Sequence, residues 1–274
     1  MPKLSANIST LYPETAFLGR FSAAAQDGFN AVEFQFAFGH APEELLSAVQ
    51  SACVEVVVLN CPAGDMEAGE RGIAIFEERI NECREAIDRA VLYARTLACK
   101  RIHLMAGILA DEQRQAPGTV FRDNLRYAAE CFNRPGEVVL VEALNNVDVP
   151  HYFVSNLAQA ASIIESVDYS NVRLQFDFYH CQMTHGRLTE NFDRYFPLVG
   201  HVQAAGVPGR HELNVGEINY QFIFDHIDAA GYAGYVGCEY HPMSTTGEGI
   251  GSLKRWLDTP AGRSTGNCDI LITE

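Results

Sequence analysis

Apolar runs of four to six residues alternate along this chain with longer amphipathic stretches. The apolar runs predict eight β-strands, over residues 4–7, 31–34, 54–59, 101–105, 138–142, 172–176, 199–203 and 235–238. The amphipathic stretches predict helices over residues 15–26, 42–52, 76–97, 118–132, 155–166, 187–196, 219–230 and 245–257. The pattern is therefore a strand followed by a helix, repeated eight times.

The clearest helix pattern lies within residues 76–97. Ile80, Cys83, Ile87 and Val91 recur there at helical spacing, and charged residues occupy the opposite face. Such a stripe is typical of a helix that packs one side against a sheet.

The repeat length indicates the architecture. The eight units occupy residues 4–257, roughly 32 residues each, which is the size expected of a (β/α)8 unit. We predict an α/β fold with one domain, a single (β/α)8 TIM barrel over residues 1–258. Residues 259–274 are polar and aperiodic, and we predict a tail that is disordered or lies on the surface. A doubly wound open sheet is the second choice, weakened because no GxGxxG turn follows an early strand.

Composition and charge exclude several function classes. The 274 residues are 47% hydrophobic, enough for a sizeable core, and the net charge of −15 without a Lys/Arg cluster argues against nucleic-acid binding. No uncharged apolar run approaches the ~20 residues of a membrane helix, and the first ten residues lack the apolar core of a secretory signal. The eight cysteines form no CxxC pair, so we interpret them as reduced thiols of a cytoplasmic protein.

Oxygen-bearing side chains stand at the ends of the last four predicted strands. They are Glu142, Asp177, Gln203 and Glu239, spaced 26 to 36 residues apart. In a barrel they would meet at the face where active sites lie, and three carboxylates there would repel one another without a cation. Each alone is readily explained as a helix cap or a salt-bridge partner. Together they predict a divalent metal site, and oxygen ligands favour Mg²⁺ or Mn²⁺ over zinc.

The same residues suit acid–base chemistry. One of Glu142 and Glu239 can take a proton from carbon while the other returns one to the neighbouring carbon, with a metal holding the adjacent oxygens. His180, three residues after Asp177, could hydrogen-bond a substrate oxygen, and Arg210 could pair with a substrate carboxylate. On spacing alone, a structural histidine and an exposed loop arginine are equal alternatives.

Six stretches together resemble one family. They are NCPAGDMEAGERGIA (60–74), VEALNN (141–146), QFDFYHCQ (175–182), GHVQAAGVPGRHE (200–212), GEINYQFIF (216–224) and VGCEYHP (236–242). They are similar to hydroxypyruvate isomerases, which belong to the xylose-isomerase-like barrels, and the resemblance runs from about residue 4 to residue 257.

The resemblance implies isomerisation of hydroxypyruvate, a small hydroxy-oxo acid, to 2-hydroxy-3-oxopropanoate (tartronate semialdehyde). The family's acid–base glutamates match Glu142 and Glu239, and its metal ligands match these two with Asp177 and Gln203. His180 matches a substrate-contact histidine of related sugar epimerases, and Arg210 matches a loop arginine suited to a carboxylate.

Other functions stay open beside this one. A larger sugar acid or a ketose could be the substrate, although ketose 3-epimerases carry a histidine where this chain has Gln203. A non-catalytic ligand-binding barrel is disfavoured by the intact strand-end residues. Metal-dependent endonuclease barrels carry more histidines at strand ends and a basic DNA-binding face. The sequence is compatible with a homo-oligomer.

Overall fold

Eight parallel strands close into a barrel in the order of the chain. The computed structural model describes residues 2–109 and 117–257. The strands are β1 (Lys3–Asn7), β2 (Ala31–Phe34), β3 (Glu55–Asn60), β4 (Arg101–His103), β5 (Val138–Glu142), β6 (Val172–Asp177), β7 (Val199–Ala204) and β8 (Tyr235–Cys238). Pairing of β8 with β1 completes the circle, which confirms the predicted single (β/α)8 barrel.

Helices surround the barrel. They are α1 (Phe17–Gln26), α2 (Pro42–Ala52), α3 (Ile80–Thr96), α4 (Pro117–Cys131), α5 (Leu157–Val167), α6 (Phe178–Thr184), α7 (Leu188–Tyr195), α8 (Tyr220–Ala229), α9 (Thr246–Gly249) and α10 (Lys254–Leu257). Short 3₁₀ turns precede α3, β7 and α10.

The elements differ from the prediction in several places. The helix predicted over 187–196 is preceded by a second helix, α6, which begins directly after β6 because the Asp177 carboxylate caps it by accepting from the Tyr179 N–H at 2.7 Å. The single helix predicted over 245–257 is broken into α9, a 3₁₀ turn and α10, since three glycines interrupt it. Strand pairing includes Asp177 in β6 and stops at His103 in β4, short of the predicted residue 105.

The two faces of each strand serve different layers. In β2, Phe34 packs against Phe21 of α1 with ring centroids 6.0 Å apart, whereas Glu33 faces the barrel interior, because successive side chains of a strand point to opposite sides. The apolar layer between strands and helices thus leaves the interior free for polar groups.

Glu33 is the centre of a buried polar cluster inside the barrel. Its carboxylate accepts from Ser5 Oγ at 3.1 Å and Gln203 Nε2 at 2.6 Å, and lies 2.8 Å from His201 Nε2. Strands β2 and β7 are not neighbours, so these contacts cross the interior. Burial alone would raise the pKa of Glu33, but His201 and the hydrogen-bond donors bring it below its ordinary value. The cluster forms a charged floor beneath the carboxyl ends of the strands.

This floor predicts a large effect at Gly237. A Cβ at Gly237 would overlap both carboxylate oxygens of Glu33, which are fixed by several partners. We expect Gly237→Ala to lower the free energy of unfolding by about 1–3 kcal/mol, the usual cost of overpacking, measured by urea unfolding. Gly247→Ala is the control, since nothing lies within 4 Å of its added Cβ. Equal midpoints for the two variants would contradict this account.

The predicted tail, residues 259–274, lies outside the described residues. Within residues 2–109 and 117–257, no helix is long and apolar enough to cross a membrane.

Candidate active site

The four strand-end residues meet at one end of the barrel. Glu142 and Asp177 are the last residues of β5 and β6, Gln203 is paired with Asp177 in the β6–β7 ladder, and Glu239 directly follows β8. All four are buried. The strand register therefore brings together the set that the sequence predicted.

Three carboxyl groups share this space, and burial raises the pKa of each. Burial raises the pKa of Glu142 well above its ordinary value, and the charges of Glu239 and Asp177 add to the rise. Burial likewise raises the pKa of Asp177, against the pull of Arg210. Burial raises the pKa of Glu239 to about 7, again opposed by Arg210. A single guanidinium does not neutralise the three carboxylates.

Arg210 lies inside the site and is not an exposed loop arginine. Its Nη2 is 2.9 Å from Glu239 Oε1 and 3.3 Å from Asp177 Oδ2, and its guanidinium lies 5.0 Å from the Tyr179 ring centre. Its carbonyl oxygen accepts from the His241 N–H at 2.7 Å. Within the described chain its inaccessible Nε has no hydrogen-bond partner, so this partly buried cation has capacity for another anion.

His180 lies in the first turn of α6 and faces the same space. Its Nε2 is 3.7 Å from Asp177 Oδ2 and 4.0 Å from Glu142 Oε1. Burial lowers the pKa of His180 well below its ordinary value, and Arg210 lowers it further. The ring is therefore neutral at physiological pH and can donate from one nitrogen.

Gln203 has a second role besides the one predicted from its position. Its Oε1 accepts from Gln175 Nε2 at 2.7 Å, and its Nε2 donates to Glu33 Oε1 at 2.6 Å. The side chain thus ties the site to the charged floor. An amide oxygen has two lone pairs, so the bond from Gln175 leaves one of them for a further partner.

Comparison with known proteins identifies the family. A family model described as a xylose isomerase-like TIM barrel matches residues 21–259. The chain belongs to this family. The prediction of a xylose-isomerase-like barrel is confirmed.

Relatives of this barrel are similar over nearly their whole length. The 2-oxo-tetronate isomerase of Cupriavidus necator is 42% identical over 94% of this chain and 99% of its own. The hydroxypyruvate isomerase of Escherichia coli is 39% identical over 94% of this chain and 99% of its own. The crystal structure of an AP endonuclease, family 2, from Brucella melitensis superposes with a TM-score of 0.91 at 38% identity, over 93% of this chain and 99% of that one. The isomerase names bear out the expectation of an isomerase.

The donor set of this family member fits a divalent cation. Glu142, Asp177 and His180 each offer one ligand atom, and these three atoms lie within 4.8 Å of one another. Glu142 Oε1 has no hydrogen-bond partner among the described residues. A buried carboxylate oxygen without a partner beside two further carboxylates is costly unless a positive charge joins it.

Sequence reasoning missed the residues that support this site. Gln35 donates to Glu239 Oε1 at 2.8 Å, and His103 Nδ1 lies 3.7 Å from Glu142 Oε2. Burial lowers the pKa of His103 to about 3, so its ring is neutral. A signal was available, because Glu33 and Gln35 alternate with apolar residues in the stretch AVEFQF (31–36), and this period of two marks them as interior positions.

The raised pKa of Glu239 predicts an unusual pH dependence of stability. Between its ordinary 4.5 and about 7, the folded protein without a cation keeps a proton that the unfolded chain releases. Glu239 therefore contributes stability that is lost as pH rises through this window. The buried rings of His103 and His180, whose pKa values are lowered, act in the opposite direction, so the effect is measured against Glu239→Gln. For chelator-treated protein, we expect the melting temperature of the wild type relative to this variant to be lower at about pH 7.5 than at about pH 5.

A cation should reverse this trend, because it binds the deprotonated carboxylates of the folded state. Mg²⁺ or Mn²⁺ should raise the melting temperature by at least ~2–4 °C at about pH 7.5, the shift equivalent to about 1 kcal/mol, and by less at about pH 5. A shift equal at the two pH values, or none, would contradict a carboxylate metal site.

Proposed function

We propose that this protein isomerises hydroxypyruvate to 2-hydroxy-3-oxopropanoate. The observation that carries the proposal is the buried pair Glu142 and Glu239, whose charges interact beside the partly buried Arg210 at the carboxyl end of the barrel. Relatives named hydroxypyruvate isomerase at about 40% identity support the same substrate.

The chain's own groups carry the two proton transfers at carbon. One glutamate removes a proton from C3 of hydroxypyruvate and leaves an enediolate, and the other delivers a proton to C2, while a proton moves from the C3 oxygen to the C2 oxygen. Arg210 holds the substrate carboxylate through paired N–H donors. His180 donates to a substrate oxygen on which negative charge develops.

We also propose a divalent cation in the site, Mg²⁺ or Mn²⁺, since its donors are mainly oxygens. Glu142, Asp177, Gln203 and Glu239 would hold it, and when bound it would supply a positive charge that stabilises the substrate's oxygens. The same positive charge would offset the repulsion among the three carboxylates.

A second candidate substrate is 2-oxo-tetronate. The Cupriavidus necator relative that carries this name is 42% identical to this chain. A 2-oxo-tetronate has the same carboxylate, C2 carbonyl and C3 hydroxyl as hydroxypyruvate and is one carbon longer, so the same proton transfer applies to it.

The other assignments follow from charge and cysteine chemistry. A DNA-cleaving role, which the name of the Brucella melitensis protein would suggest, is disfavoured by the net charge of −15. A cytoplasmic location is supported by the seven described cysteines, none of which forms a disulfide.

A direct comparison of the two substrates tests the proposal. The Mg²⁺- and Mn²⁺-supplemented protein is incubated with each acid, and the product is identified by NMR. We expect 2-hydroxy-3-oxopropanoate from hydroxypyruvate, with the larger kcat/KM for this acid. Turnover of 2-oxo-tetronate alone would transfer the assignment to the second candidate, and no turnover of either by folded protein would overturn both.

A further inference from the structure

The side chain of Asn145, three residues beyond Glu142, has only one consistent orientation. Its Oδ1 accepts from the backbone N–H groups of Val147 at 3.0 Å and Asp148 at 2.9 Å, and its Nδ2 donates to Asp148 Oδ2 at 3.0 Å. If the amide were flipped, its NH₂ would face the N–H groups of Val147 and Asp148, and its oxygen would face the Asp148 carboxylate. The NH₂ group of Asn145 therefore points toward His180.

Two N–H donors converge on one nitrogen of the His180 ring. Asn145 Nδ2 lies 2.8 Å from His180 Nδ1, and the backbone N–H of Asn145 lies 3.2 Å from the same atom. A ring nitrogen that carries a proton cannot accept a hydrogen bond. Nδ1 must therefore be unprotonated, and the neutral ring carries its proton on Nε2.

This tautomer decides what His180 offers to the site. Its Nε2 faces Asp177 and Glu142 at 3.7 and 4.0 Å, and it has no hydrogen-bond partner within the described part of the chain. A cation on Nε2 would force the proton onto Nδ1, against both N–H groups of Asn145. Although Nε2 lies close enough to the two carboxylates to be a ligand, it is a donor instead.

We propose that Asn145 is a positioning residue that locks His180 in the Nε2–H tautomer, so that His180 donates to a substrate oxygen and stays outside the cation's ligand set. The tautomer stands on the hydrogen bonds alone, and only its use in the reaction rests on the proposed function. The oxygens on C2 and C3 gain negative charge during isomerisation, and a fixed N–H donor stabilises that charge without reorganising.

The tautomer can be measured without any substrate. In protein labelled with ¹⁵N-histidine, long-range ¹H–¹⁵N spectra distinguish protonated from unprotonated ring nitrogens, and His180→Gln identifies the His180 signals among the nine histidines. We expect an unprotonated Nδ1 and a protonated Nε2 in the Mg²⁺-supplemented protein. A protonated Nδ1 would overturn the proposal.

Asn145→Asp tests whether Asn145 fixes the tautomer, because it keeps the size of the side chain and replaces the NH₂ donor by a carboxylate oxygen, an acceptor. We expect the proton to move to Nδ1 and kcat on hydroxypyruvate to fall about 10²-fold, as for loss of one donor to a developing charge. In the His180→Gln background the same change should have a much smaller effect on kcat, because the two residues act as one unit. Asn146→Asp, at the exposed neighbouring position, is the control and should change neither.

The outcomes distinguish the effect of Asn145 on the tautomer from the identity of the substrate. An unchanged tautomer in Asn145→Asp, or equal losses of kcat in both backgrounds, would overturn the role of Asn145. If Asn145→Asp does not fold, the wild-type spectrum still decides the tautomer, and Asn145→Ser provides the missing-donor variant. Wild-type protein with the Nε2–H tautomer but no turnover of hydroxypyruvate would support the lock and overturn only the proposed substrate.

Discussion

Replacing Glu239 by glutamine should lower kcat on hydroxypyruvate by about 10²–10⁴-fold, the range expected for loss of a positioned general acid or base. Glutamine has nearly the same size and still offers an oxygen, but it cannot exchange a proton. Glu142→Gln should lose a similar factor, because the reaction needs one group to remove the C3 proton and another to protonate C2. The measurement is the steady-state rate of product formation at saturating cation.

The matched control is Glu190→Gln, an exposed glutamate that pairs with Arg187 on the surface, and it should keep the full rate. Calorimetric titration with Mg²⁺ separates loss of the cation from loss of proton transfer. If either site variant, folded and loaded with cation, turns over hydroxypyruvate within about tenfold of the wild type, far less than such a group contributes, the acid–base assignment of that glutamate is wrong.

Arg210→Met should lower kcat/KM for hydroxypyruvate by roughly 30-fold to several-thousand-fold, corresponding to the ~2–5 kcal/mol cost of removing one partner of a buried charge pair. The partly buried guanidinium lies against the buried carboxylates of Glu239 and Asp177, and its Nε has no partner in the described chain. Most of the loss should appear in KM if Arg210 binds the substrate carboxylate. Arg210→Lys should recover only part of it, since an ammonium lacks the planar fork.

Arg187→Met, at an exposed arginine, serves as the control and should change neither constant. A substrate analogue in which an amide replaces the carboxylate offers a second check. The wild type should convert this amide slowly, and Arg210→Met should lower kcat/KM for the amide only slightly further. An equal loss for the acid and its amide would show that Arg210 acts through Glu239 and Asp177 and does not contact the carboxylate.

The strand–helix unit that repeats eight times along the chain was sufficient to predict the barrel and the meeting of four distant residues. Strands in a closed parallel barrel end on the same face, so Glu142, Asp177, Gln203 and Glu239 had to converge once the eight units were recognised. Their roles as metal ligands and acid–base groups stay predictions, tested by the experiments above. His180 and Arg210, for which the sequence left structural alternatives open, both face this site.

The polar contacts beneath and beside the site were not readable from the sequence. Glu33 meets His201 and Gln203 across the interior, and which strands oppose each other depends on closure of the barrel. The bond between Asn145 and His180 depends on α6, a helix of seven residues that is too short to show a periodic pattern. The missing information was which polar side chains meet one another once the barrel has closed.

The most direct measurement is the turnover of hydroxypyruvate by chelator-stripped protein, before and after addition of Mg²⁺ or Mn²⁺, with 2-hydroxy-3-oxopropanoate detected by NMR. The proposed site predicts little product without a cation, and formation of this product when one is added. Full activity in the stripped protein would contradict the metal site. No product with either cation, from folded protein, would contradict the assignment of hydroxypyruvate as the substrate.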